Sequence, residues 1–172
     1  MQAKARLLGH PIHQMLIVFP LGLLASAVIF DIVAMVRNNS FFYHMAYWMI
    51  AAGIISGLVA ALFGTIDWLA IPSGTRAKAV GTWHGLGNVV VVILFGISWY
   101  LRRPLPTEPG TAALTCSFLG AGVSMLTGWL GGELVDRLAV GVDPGAHLNS
   151  PNSLSGRPAN ENSSADKLRR VA

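Results

Sequence analysis

Residues 12–36 read IHQMLIVFPLGLLASAVIFDIVAMV, with one acid, one histidine and neither lysine nor arginine. A helix crosses a hydrocarbon layer of ~30 Å with ~20 apolar residues, so this run is long enough to span a membrane. Lys4 and Arg6 precede it, and Ala25-Ser26-Ala27 resembles a signal-peptide cleavage site. The apolar residues nevertheless continue to Val36, so the run reads as an uncleaved first span rather than a removed signal.

Three further stretches behave the same way, at about residues 43–71, 80–101 and 111–134. Together they explain why the 172-residue chain is 53 % hydrophobic and only 12 % charged, when soluble domains carry about 25 % charge. Short links join them: Arg37-Asn38-Asn39-Ser40, then Pro72-Ser73-Gly74-Thr75-Arg76, then Arg102-Arg103-Pro104 through Pro109-Gly110. Proline and glycine punctuate the last two. Short links make consecutive helices antiparallel neighbours, and in lipid a helix satisfies its own backbone polar groups. The expected fold is therefore all-α, an integral membrane up-down-up-down four-helix bundle over residues 1–143. Residues 144–172 are rich in Asn, Ser, Pro and Gly and read as a disordered polar tail.

The net charge is +4. No basic stretch carries interleaved aromatics, which argues against nucleic-acid binding. Lysine and arginine instead orient the spans. Lys4, Arg6, Arg76, Lys78 and Arg137 fall on one side, followed further out by Arg157, Lys167, Arg169 and Arg170; Arg37, Arg102 and Arg103 fall on the other. The positive-inside rule then puts both termini of this multi-pass chain in the cytoplasm. Tyr43, Tyr47, Trp48, Trp99 and Tyr100 mark one interface, and Trp68, Trp83 and Trp129 the other. The lone Cys116 excludes an internal disulfide and a paired-cysteine metal motif.

Alternating direction has a chemical consequence. His13 and Gln14 begin the first span, His84 and Asn88 begin the third, Asp67 ends the second, and Glu133 ends the fourth, with Asp136 just beyond. All gather at one membrane face, whichever face is cytoplasmic. Gly53, Gly57, Ala60 and Gly64 form a small-residue stripe ahead of Asp67, of the kind that lets helices approach closely. His84, Asn88 and Gly81 share a helical stripe. Glu133 shares a face with Trp129 and Leu126, and Gly131-Gly132 offers a bend to re-aim it. A histidine heads spans one and three and an acid ends spans two and four, a faint internal symmetry with no residue-level repeat visible behind it. Each group also has a structural reading. Pro11 suits a first helical position with His10 as its cap, His13 suits a helix end, and Asp67 suits a bond to Trp68, Ser73 or a link backbone. Pro20 removes a bond to Leu16 and should kink span one. On the far side, Asp31 and His44 are placed to pair structurally.

Three blocks, HPIHQMLIVFPLGLL, GTIDWLAIPSGTRAKAVGTWHGLGN and TGWLGGELVDRLAVGVD, resemble an uncharacterised bacterial four-helix membrane family known only as a domain of unknown function. The resemblance covers about Gly9 to Asp143. Members are sometimes fused to Rieske or cytochrome c domains, which implies redox chemistry by association. Members often carry a tyrosine and a histidine in the last block, where this chain has Asp136 and Leu138.

Three function classes stay open. In the first, imidazoles on diagonal spans hold a cofactor. His13 and His84 would ligate one haem b iron from both faces, with Arg6, Arg76 or Lys78 at the propionates; or His10, His13, Asp67, His84 and Glu133 would supply nitrogen and oxygen donors for a divalent metal. Redox or respiratory membrane partners would follow. In the second, the polar layer is an interhelical lock in a structural or accessory subunit. In the third, His13, Asp67 and His84 relay protons or a small solute. No nucleophile sits beside these groups, so no catalytic motif is assigned.

Overall fold

The computed structural model describes residues 1–161. Four helical rods are long and apolar enough to cross a membrane: Ile12–Arg37, Ser40–Ala70, Arg76–Arg102 and Thr111–Arg137. The chain forms an all-α membrane-spanning bundle. Residues 162–172, the end of the expected tail, lie outside the described residues. Residues 144–161 run through turns and one short 3-10 turn at Ser153–Ser155.

The first rod is broken. Helix α1 (Ile12–Leu16) gives way at Ile17 to α2 (Val18–Arg37). Pro20 has no N–H to offer the Leu16 carbonyl, and the break falls at that point. Pro11, not His10, is the residue that caps α1; it is extended, with φ −62° and ψ 122°. His10 instead belongs to a two-residue hairpin, β1 (Arg6–Leu7) against β2 (His10–Pro11). Its turn residues Leu8 and Gly9 have φ of 51° and 86°, the left-handed pair that a tight two-residue hairpin demands. Asn38 in the left-handed region ends α2, and the Asn39 carboxamide accepts from the Phe41 amide to start α3 (Ser40–Ala70). Thr75 does the same for α4 (Arg76–Arg102), accepting from the Lys78 amide; such caps satisfy N–H groups that have no partner within the helix. Helix α5 (Thr111–Gly132) runs on into a π turn at Glu133–Arg137.

The rods pair as two hairpins. Helix α2 packs chiefly on α3, and α4 on α5; lighter contacts of α3 with α4 and of α5 with α2 close the ring. The two broken-apart halves of the core, Leu24, Ala27, Ala46 and Ile50 from one hairpin and Val91 and Phe95 from the other, form one apolar cluster at mid-depth.

The symmetry that is faint in the sequence is explicit in burial. The buried residues of α2 include Leu24, Ala27 and Asp31; those of α4 include Phe95, Ser98 and Arg102, each 71 positions later. The buried residues of α3 are Ala46, Ile50, Gly53 and Ala60; those of α5 are Ala113, Ser117, Gly120 and Thr127, each 67 positions later. Gly53 lies against Leu24, and Gly120 against Phe95. A side chain at either glycine would overlap its neighbour, with an added Cβ 2.6 Å and 2.9 Å away respectively. The two hairpins are therefore related position by position, in the arrangement that a two-fold axis along the membrane normal produces.

Candidate functional site

His13 and His84 are 71 residues apart, like the buried pairs, and occupy matching places. His13 Nδ1 is 2.8 Å from the Ala60 carbonyl on α3, and His84 Nδ1 is 2.9 Å from the Thr127 carbonyl on α5. A carbonyl can only accept, so each Nδ1 carries the proton and each Nε2 presents a lone pair. One turn beyond each carbonyl stands a glycine, Gly64 against the His13 ring and Gly131 against the His84 ring. The absent side chains make room for the imidazoles. Across the bundle the two rings meet edge to face, with centres 6.4 Å apart. Spans one and three are thus diagonal, and their histidines converge.

The halves differ in what surrounds the rings. Asn88 Nδ2 donates to His84 Nε2 at 3.3 Å, and its carboxamide oxygen accepts from the Thr127 hydroxyl at 3.3 Å. The position equivalent to Asn88 in the first half is Ile17, and Thr127 is matched by Ala60. His13 Nε2 consequently has no hydrogen-bond partner among the described residues.

The other expected site residues sit close by but are committed elsewhere. Asp67 Oδ1 accepts from the Lys4 and Ala5 amides at 2.6 and 3.0 Å, fastening the N-terminal segment instead of Trp68, Ser73 or the link. Glu133 pairs with Arg76 at 2.5 Å; Gly131 and Gly132 stay α-helical, and the π turn begins after them, at Glu133. His10 faces Ser153 at 3.4 Å. Among the described residues no group of three or more His, Cys, Asp or Glu is placed to hold a metal ion. The cations expected at haem propionates are also engaged. Arg6 pairs with Asp143 at 2.9 Å and donates to the Gly9 carbonyl. Lys78 donates to the Trp68 carbonyl at 2.7 Å and lies 3.7 Å above that indole. A cap closes over this end of the bundle: the Met1 ammonium donates to the Ala139 carbonyl, and the Gly141 amide to the Met1 carbonyl.

The opposite end holds the feature that sequence reading misplaced. Asp31 does not pair with His44; His44 accepts from the Trp48 indole at 3.2 Å. Arg102 is not a link charge. It turns inward and grips Asp31 with two parallel bonds of 2.7 Å, both side chains being 0 % exposed. Its remaining donors reach Ser98 at 3.2 Å and Ser117 at 3.0 Å, and Ser98 donates to the Ala113 carbonyl at 2.7 Å. Every member is satisfied, as a buried charge requires. The signal for this pair was available: Asp31 and Arg102 have the same 71-residue separation as the two histidines.

Four helices long and apolar enough to span a membrane agree with one family of predicted membrane proteins. The chain belongs to the family described as "Predicted membrane protein (DUF2231)". The match runs over residues 9–144, which includes all four rods, both histidines and the Asp31–Arg102 pair, and leaves out the N-terminal strand β1. Comparison with curated proteins and with solved structures finds no match.

Proposed function

We propose that this protein is a redox component of a bacterial inner membrane, with His13 and His84 as the two protein ligands of a haem b iron. The observation that carries this is the imidazole pair: two matched rings across the diagonal, each with Nδ1 bonded to a carbonyl. Second-shell bonding of that kind fixes the tautomer and leaves Nε2 as the ligand atom in metal-binding histidines. The two ring centres lie 6.4 Å apart and meet edge to face, near enough that His13 and His84 would both hold one iron once each turned its Nε2 toward it. Two donors are also too few for a bare zinc or copper ion, which takes three or four from the protein. Haem iron receives four from the porphyrin and needs only two. When bound, haem would supply one-electron transfer. Asp67, Glu133 and His10 would serve as structural ties of the cap and not as ligands.

With Arg102 inside the bundle, only Arg37 and Arg103 among the described residues remain as exposed lysine or arginine at the far boundary. This strengthens the charge bias that would place both termini in the cytoplasm.

A second reading draws on Asn88. It already occupies His84 Nε2, which suits an accessory subunit whose imidazoles simply tie each hairpin. A visible spectrum of the full chain, purified from cells supplied with haem precursor, separates the two. The redox reading expects a Soret band at one haem per chain, lost in both His13→Ala and His84→Ala while circular dichroism stays helical. Colourless protein that also fails to take up added haemin would leave only the accessory reading.

A further inference from the structure

The segment before the first span crosses the end of the bundle that holds the two histidines. On one side, the Lys4 and Ala5 amides both donate to Asp67 Oδ1, at 2.6 and 3.0 Å. Asp67 lies one turn past Gly64, the glycine against the His13 ring. On the other side, the Met1 carbonyl accepts from the Gly141 amide at 2.8 Å. Gly141 belongs to the loop after the π turn, beyond Gly131, the glycine against the His84 ring. Helices α3 and α5 occupy one diagonal of the ring, and the histidine-bearing spans the other. Residues 1–5 therefore run from one corner to the opposite corner, over the axis where the rings meet. Between the two ties the chain alternates. Gln2 and Lys4 are exposed, while Ala3 is only 6 % exposed, so its methyl faces the bundle.

The hold on this segment is polar and slight. Both amides share a single carboxylate oxygen, and Ala3 is the only buried residue among residues 1–11. Chain with few buried contacts and exposed hydrogen bonds opens locally while packed helices stay closed. The next residues are fixed: Arg6 pairs with Asp143 at 2.9 Å, and the Ile12 amide donates to the Ala5 carbonyl at 2.9 Å. Opening is thereby confined to residues 1–5. Hydrocarbon seals the flanks of a membrane bundle against water, which leaves the end as the polar approach. We propose that residues 1–5 are a strap that gates the histidine pair, with the Asp67 carboxylate as its latch. Water, a polar ligand or a cofactor arriving from this side reaches the imidazoles when Lys4 and Ala5 leave Asp67. The gate belongs to the chain itself and does not depend on the haem reading.

Exchange of the imidazole C2 hydrogen in D2O, followed by mass spectrometry of the full chain in phosphatidylcholine nanodiscs, reports water access at each of the five histidines. His13 and His84 should exchange well behind the exposed His147. Asp67→Ala removes the latch and should speed both by about tenfold, the scale of one charge-assisted hydrogen bond. Ala3→Lys leaves the latch in place but sets a cation where the strap turns inward, and should open it with no change in any span. A rise confined to His13 and His84, with His44 at the far boundary unchanged, supports the gate. It is overturned if the pair exchanges as fast as His147 in wild type, if Asp67→Ala and Ala3→Lys leave the pair unmoved, or if His44 rises with it. Deuterium uptake reads water and not colour, so protein without a Soret band would still test the strap.

Discussion

Set side by side, the hairpin of α2 and α3 and the hairpin of α4 and α5 share a plan and differ in chemistry. Each seats an imidazole on a facing carbonyl with a glycine one turn on, and each buries a large side chain against a second glycine, Leu24 on Gly53 and Phe95 on Gly120. These are the positions where backbone approach leaves no alternative. Elsewhere the halves have diverged, and the divergence is complementary. Where the first has Asp31, Ala27 and Ile50, the second has Arg102, Ser98 and Ser117. Equivalent positions meet near a two-fold axis, so a charge on one half needs its opposite on the other. The paired acid and arginine form only when two unlike halves dock. Identical halves would place two like charges there.

The largest effect should come from breaking that complementarity. Arg102→Met leaves a buried, unpaired carboxylate and should cost about 3–5 kcal/mol of stability, measured as unfolding in detergent micelles. The double variant Asp31→Leu with Arg102→Met should recover most of the loss, because a well-packed apolar pair can replace a buried ion pair. A sharper test swaps the ends. Asp31→Arg with Arg102→Asp should be more stable than either single change, and adding Ala27→Ser with Ile50→Ser should improve it further by restoring the two hydroxyls in the mirrored half. A swap no better than the singles would show that the two-fold relation does not extend to this pair.

Next come the glycines. Gly53→Ala and Gly120→Ala should each cost about 1–3 kcal/mol by overpacking, with matched losses in the two halves. Gly22→Ala and Gly122→Ala, where an added methyl meets nothing within 4 Å, should be neutral in the same assay. The smallest expected change is Asn88→Leu. Interhelical hydrogen bonds in membranes average about 0.6 kcal/mol, so stability should fall by about that amount. Because the substitution also frees His84 Nε2, the half with extra polar ties would become like the other. If haem is held as proposed, its uptake should rise; in an accessory subunit only the small stability loss would be seen.

Much of the site's location was legible in the residues. Four apolar runs and short links fix antiparallel order, and that order alone brings His13, His84, Asp67 and Glu133 to one end. What escaped was direction. Nothing in one dimension shows that the amides of Lys4 and Ala5 reach Asp67 or that the side chain of Arg76 reaches Glu133. Arg102, beside Arg103 and a proline, has the look of a solvated link. Its long stem ends one turn within the bundle, and it turns inward only because Asp31, on the diagonal helix, would otherwise be unpaired.

By itself the sequence determined that this protein lives in a bilayer, that its helices alternate, and which polar groups share a depth, since hydropathy and link length act locally. Only the tertiary structure decided which of those groups face one another, because that depends on helix rotation. Rotation is set by a few close approaches at Gly53, Gly64, Gly120 and Gly131 and by one buried charge seeking its opposite. Both are contacts between residues far apart in the chain.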